Sequence, residues 1–286
     1  MRYRLSVISD THTGSTVGLA PPDGIPHPEG FTIESSPVSR WLWGFYQQHL
    51  EREAKEANGA DKHILIFNGD VMDGGMHHGQ HQLYHPAKAV ERWISMEVVT
   101  EAVRWLEPDH IVVVKGTPSH VGKLGASEES IGSKLCDMYP TQYVRPDEFR
   151  YAFDVFRADL DGLLLDVRHH GKMGLLPHTR ESYQKRYAVD IFHSSAHYKG
   201  HRAPDLALRA HKHKYADSGP VPPHKHGTRL ISSPCYQMAT EWVQKVAIED
   251  PADIGMVGVE IRDGRVADVF PQVVSPQPAG GKVWTP

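Results

Sequence analysis

The chain has 286 residues, 40% of them hydrophobic, with 23% charged and a formal net charge of -4. That is ample for one substantial core, and the near-neutral balance advertises no nucleic-acid surface, although a local basic groove is compatible with it. Only two cysteines occur, Cys136 and Cys235, so a disulfide framework is excluded and buried free thiols are expected.

Met1 to Asp10 reads as a strand that starts at once, without an apolar leader. No stretch approaches the roughly 20 apolar residues that span a bilayer, so a soluble, cytoplasmic protein without membrane contact is expected. Short apolar runs rich in Val, Ile and Leu predict strands at Arg4–Ile8, His63–Phe67, His110–Lys115, Gly162–Arg168, Asp190–Phe192 and Leu206–Arg209. Helical spacing of apolar residues predicts helices over Ser36–Asn58 and Pro86–Leu106, and the acidic first turn Ser127-Glu128-Glu129 opens a third that runs to Met138. Further on, Thr228–Ser233 and Gly255–Arg262 read as strands, and Asp263-Gly264 turns the chain into Val266–Val274. Alternating strands and helices argue for α/β layering, with two sheets packed face to face and flanked by helices. One domain is expected over residues 1–274, with 275–286 as a loosely held tail.

The abnormal count is histidine, at 20, and the histidines gather at strand ends. The first strand runs into Asp10-Thr11-His12, whose i and i+2 side chains point the same way in extended backbone. The next ends in Gly69-Asp70-Val71-Met72-Asp73, and the third in Gly116-Thr117-Pro118-Ser119-His120. The fourth ends in His169-His170-Gly171 and the fifth in Ala210-His211-Lys212-His213. Each block alone is equally a capped turn or a surface histidine. Five in succession are not, because open α/β sheets collect such ends along one edge. Mixed oxygen and nitrogen donors suit Zn, Mn or Fe.

Taken in order, these blocks resemble those of the calcineurin-like metallophosphoesterase superfamily: D-x-H, G-D-x-x-D/N, G-N-H-D/E, a histidine before glycine, and G-H-x-H. Gly116-Thr117-Pro118-Ser119-His120, with the stretch from Pro204 to Gly219, looks most like the phage and prophage branch. The resemblance implies a four-layer α/β-β/α sandwich and two divalent metal ions. Asp10, His12, Asp70 and His213 would hold one ion; Asp70, His170 and His211 would hold the other, with Asp70 bridging. Gly171 favours His170 over His169. The sequence departs from the pattern at Thr117, which stands where the family has a ligand asparagine, and at His120, which lies three residues beyond Thr117. That leaves Thr117 as a weak ligand, a water-mediated one or none, and His120 as general acid, replacement ligand or neither.

What the resemblance implies chemically is hydrolysis of a phosphate ester by metal-activated hydroxide, with Asp70 and His120 as the catalytic pair. Asp73 is expected to orient a ligand histidine. His77, His78, His81 and His85 follow in a Gly-rich loop, either lining the substrate mouth or merely solvated. A nucleotide or nucleic-acid-type phosphodiester is the expected substrate. The alternatives are a protein or small-molecule phosphomonoester, or a degenerate metal-binding protein without turnover.

Overall fold

The computed structural model describes residues 1–73, 82–85, 88–121, 125–174, 176–197, 202–221, 227–240 and 251–276. In chain order the first half contains β1 (Arg2–Ile8), the two-residue strands β2 (Ile25–Pro26) and β3 (Thr32–Ile33), α1 (Pro37–Ala57), β4 (Lys62–Asn68), α2 (Lys88–Leu106) and β5 (His110–Val114). Next come a single helical turn α3 (Pro118–Val121), α4 (Ala126–Met138), β6 (Phe156–Leu160), β7 (Leu163–His170) and α5 (Arg180–His197). The chain closes with β8 (Leu206–Ala210), β9 (Ala216–Asp217), β10 (Arg229–Ser232), β11 (Ile254–Arg262) and β12 (Arg265–Val274). No helix among the described residues is long and apolar enough to cross a membrane.

Local chemistry accounts for the boundaries. Ser36 caps α1 by accepting from the Ser39 N–H, and Pro37 occupies the first turn, where its missing N–H costs nothing. The predicted strand at Asp190–Phe192 is instead the middle of α5. Gln184 and Ala188 are buried one turn apart and Ile191 packs beside Ala188, so the segment follows a helical period onto Ala207 and Leu230 of the sheet below. Edge strand β6 alternates apolar Phe156, Ala158 and Leu160 with exposed charges, the period of a strand with one buried face, which the sequence reading passed over.

Two five-stranded mixed sheets result, ordered β12-β11-β1-β4-β5 and β6-β7-β8-β10-β9. In the first, β1, β4 and β5 run parallel; in the second, β7, β8 and β10 do. Leu5, Val7, Ile66 and Val112 of one sheet share a core with Leu165, Val167 and Leu208 of the other. Leu42, Tyr46, Val99 and Leu135 carry α1, α2 and α4 onto the outer face of the first sheet, and α5 covers the second. The architecture is a four-layer α/β-β/α sandwich. Its parallel strands in both sheets deliver their C-terminal ends to one rim.

Two buried polar contacts tie α1 to this frame. Arg4 of β1 and Glu53 of α1 are both fully buried, and the guanidinium donates to the carboxylate twice, at 2.8 and 2.7 Å. Ser6 adds a 2.6 Å bond to the same carboxylate. A Cβ on Gly258 would overlap the Arg4 guanidinium, so glycine keeps the slot open. His49, buried beneath Phe45, has its Nδ1 2.9 Å from the Tyr236 hydroxyl, and burial, helped by Arg52, lowers its pKa to about 4.

Each contact carries a measurable consequence. Glu53→Ala leaves the Arg4 charge buried and alone, and chemical denaturation should show a loss of about 3–5 kcal/mol. For His49 the unfolded chain binds the proton more readily than the folded one. Stability should therefore be intact above about pH 6.5 and fall on the way to pH 4, by roughly 2–3 kcal/mol from this group. In His49→Gln, the denaturation midpoint should vary less steeply with pH over that window.

Candidate metal centre

The strand ends turn inward through strained backbone. Asp10, His12, Asp70, His211 and His213 all have positive φ, at 49, 42, 49, 73 and 53°. Side chains other than glycine rarely adopt this region, and each instance costs on the order of 1–3 kcal/mol. The conformations are pinned by hydrogen bonds between neighbouring strand ends: the Asp10 N–H to the Gly69 carbonyl at 3.0 Å, and the His12 N–H to the Asp70 carbonyl at 3.0 Å. Two glycines let the groups converge. A Cβ on Gly69 would collide with the His169 imidazole, and one on Gly116 with the Asp70 carboxylate.

Two donor sets meet at this rim. In the first, Asp10 Oδ1 lies 3.3 Å from His213 Nε2 and 3.9 Å from His12 Nε2, while the two imidazole nitrogens face each other at 3.2 Å. In the second, Asp70 Oδ2 lies 2.9 Å from His169 Nε2, with His211 completing the group. The sets adjoin, since His169 Nε2 is also 3.9 Å from Asp10 Oδ1. Asp10, His12, Asp70 and His169 are all buried.

The electrostatics fit a cation. Among the described residues buried His12 Nδ1 has no hydrogen-bond partner, and buried Asp10 Oδ1 faces imidazole nitrogens at 3.3 to 3.9 Å. Burial, with His169 beside it, lowers the pKa of His211 to about 4; burial, with His120 beside it, does the same to His12. Both imidazoles are therefore neutral near pH 7 and offer lone pairs. Burial works against ionising Asp70, but His169 outweighs it and holds the carboxyl well below its usual range. Burial likewise opposes charge on His169, yet Asp70 and Asp10 raise its pKa to about 9. His169 Nδ1 faces the Asn68 carbonyl at 2.7 Å, so Nδ1–H donates there and Nε2 is the atom presented to Asp70.

The sequence reading favoured His170 over His169; the structure places His169 beside Asp70 and His211 and His170 at the margin of that group. β7 continues through both histidines, and its pleat alternates faces: Val167 and His169 are buried, whereas Arg168 and His170 are exposed. His170 stands at the margin, with Nε2 3.5 Å from the Thr117 hydroxyl.

Thr117 directs two donors at Asp70, its N–H at 2.6 Å and its hydroxyl at 3.0 Å. The same hydroxyl is 3.1 Å from His211 Nδ1 and 3.3 Å from His169 Nε2, at the middle of the second set. Pro118 starts the turn α3, which delivers His120 to Asp73: Nδ1 and Oδ1 are 3.0 Å apart. Asp73 thus pairs with His120, and His12 packs edge-on against the His120 ring at 4.6 Å. His12, Asp73 and His120 form a third group within ligating reach of one another. His77, His78 and His81 lie outside the described residues; His85 Nε2 lies 3.2 Å from His27 Nε2. Sequence reasoning missed the Asn68 carbonyl and Glu128. Glu128 looked like a first-turn acid, but it is fully buried, and burial beside Asp70 pushes its carboxyl well above the usual range.

Fold and site together define an α/β sandwich with buried carboxylate–histidine sets capable of holding divalent metal. No family model and no curated protein matches the chain. Among solved structures, zinc-complexed Vps29 from Entamoeba histolytica is similar over 95% of this chain and 98% of its own, at 13% identity and a TM-score of 0.41. A hypothetical protein from Thermus thermophilus aligns over 97% and 100%, at 12% identity and a TM-score of 0.41. Yfce, a phosphoesterase from E. coli, aligns over 93% and 98%, at 17% identity and a TM-score of 0.35. Likenesses this distant carry no chemistry across to this chain.

Gly116→Ala should drive the Asp70 carboxylate off its position without touching a ligand. Elemental analysis after dialysis should then show at least one ion fewer per chain than in the unsubstituted protein, with secondary structure unchanged by circular dichroism.

Proposed function

We propose that the chain is a metal-dependent phosphoesterase of the calcineurin-like type, acting on phosphodiesters of nucleotide or nucleic-acid character. The observation that carries this reading is the meeting of two carboxylates and four imidazoles, from the ends of four parallel strands in two sheets, in two adjoining sets. Asp10, His12 and His213 would hold one divalent ion, and Asp70, His169 and His211 the other, with Asp70 shared between them. Zn, Mn or Fe suits these donors. Bound there, the ions would neutralise phosphoryl oxygens and supply a water acidic enough to attack phosphorus.

The chain's own residues do the rest. Thr117 fixes the rotamer of Asp70 through both of its donors. Asn68 sets the tautomer of His169. Asp73 engages His120 at Nδ1, which orients the ring and favours its protonated form, and this imidazolium would deliver a proton to the departing oxygen. No serine or cysteine nucleophile is required.

One observation supports a second reading. The Thr117 hydroxyl fills the middle of the Asp70 set, which favours a chain that holds a single ion and does not turn over substrate. Metal stoichiometry separates the two: two ions per chain supports the hydrolase, one ion with no turnover supports the alternative. With manganese or zinc added, the unsubstituted chain should hydrolyse bis(p-nitrophenyl) phosphate. Asp70→Asn should abolish that activity, and its full retention would end the proposal. His120→Gln should lower kcat by roughly 100-fold or more on a diester with an alkyl leaving group, and by much less on the aryl diester.

A further inference from the structure

A cavity of about 710 Å³ opens beside the metal centre, on the outer face of the second sheet beneath α5. His169 and His170 line its inner end. Its floor is an arginine cluster built around one carboxylate. Asp166, buried on β7, receives Arg157 Nε at 2.8 Å, Arg168 Nε at 3.1 Å and Nη2 at 3.3 Å, and Arg209 Nη2 at 2.8 Å. Three guanidiniums on a single carboxylate leave two positive charges uncompensated at that point.

The other charged groups of the cavity do not cancel this surplus. Lys115 is held by Glu129 at 3.0 Å and by Asp154 at 3.5 Å. Exposed Asp190, on α5, offsets Lys172, whose ammonium lies over the Tyr187 ring at 5.9 Å. Arg209 is spent inward, donating to the Asp166 and Leu208 carbonyls as well as to the carboxylate. Arg157 and Arg168 differ: their side chains are 41 and 45% exposed. Arg157 uses only Nε on Asp166, so its terminal nitrogens have no hydrogen-bond partner among the described residues, whereas Arg168 spends Nε and Nη2 on the carboxylate and offers Nη1. A planar fork of free donors, oriented by a buried acid, is the arrangement that recognises phosphate oxygens.

We infer that this cavity is a second phosphate subsite, in which Arg157 and Arg168 bind a phosphate group of the substrate other than the one placed at the metal centre. The inference rests on the phosphoesterase reading and narrows it to substrates with at least two phosphates. His170, exposed on the same face of β7 and 3.5 Å from Thr117, marks the passage from one site to the other. Two sources supply this chemistry: neighbouring phosphates along an oligonucleotide, or a small compound with a polyphosphate chain.

Binding rather than turnover tests the subsite. The probe is a short fluorescein-labelled oligothymidylate, followed by anisotropy on the full chain carrying Asp70→Asn so that it is not consumed. The unsubstituted chain in chelator serves as a second format. Adding Arg157→Gln and Arg168→Gln should weaken binding roughly tenfold or more, and Lys at both positions should recover part of it. Affinity should also fall as salt rises. Competition by tripolyphosphate at equal potency identifies a small polyphosphate ligand, whereas competition only by longer oligothymidylate identifies a polymer; both outcomes support the subsite. Absence of binding to the parent chain, unchanged affinity in a folded arginine variant, or equal competition by thymidine monophosphate would each overturn it. Failure of the hydrolase reading would show separately, as absent turnover with binding intact.

Discussion

Two carboxylates, Asp10 and Asp70, lie buried at the ends of adjacent parallel strands, and much of the surrounding structure answers to that fact. A buried carboxylate is expensive unless it is paired or hydrogen-bonded. Here backbone donors are aimed at both: the His211 N–H at Asp10 Oδ2 and the Thr117 N–H at Asp70 Oδ1. His169 stands between the two acids, close enough to each that its charged form is favoured despite burial. In ligand-binding terms the same proximity means that a cation and a proton compete for one nitrogen.

Holding these groups together requires backbone that the residues would not choose. Five left-handed residues at the rim represent several kcal/mol of local strain, a sizeable fraction of the roughly 5–15 kcal/mol typical of net stability. The shared core between the sheets and the Arg4–Glu53 tie are what such strain works against. They lie away from the rim, so the frame stays rigid where it packs while the rim is shaped by what it must bind. Asp263, left-handed as well, follows the ordinary logic of a hairpin turn before Gly264, which underlines that the rim residues serve something other than chain reversal.

How much of this the sequence disclosed depended on whether local pattern or tertiary context decides a feature. Helix ends at Ser36 and Asn58 and the strands running into Asp10 and Asp70 follow from caps and apolar runs, which are local. The Asp190–Phe192 run went astray because a helix that packs through Gln184, Tyr187, Ala188 and Ile191 among its described residues leaves a short apolar run that looks locally like a strand. His169 and His170 could not be separated by chemistry, being the same residue type; the strand's continuation past Arg168 and its two-residue period set which of them faces Asp70. Glu128 offered no signal, since a glutamate in the first turn of a helix is ordinary until the turn is buried against the site. The partnership of Asp73 with His120 was hidden for a different reason, because it depends on Pro118 closing one helical turn between residues 47 apart.

The formal charge of -4 argues weakly against a polyanionic substrate only if charge is spread evenly, and a ligand does not sample the average. At physiological ionic strength it responds to charges within about 8 Å, and low-dielectric walls concentrate their field. Asp166 illustrates how acidic composition can serve an anion site. By orienting Arg157 and Arg168 it removes rotamer freedom that phosphate binding would otherwise have to suppress, and it is outnumbered by the cations it gathers. Replacing Asp166 would add formal positive charge yet unfix the forks, so preorganisation rather than net charge decides what this face of the sheet can hold.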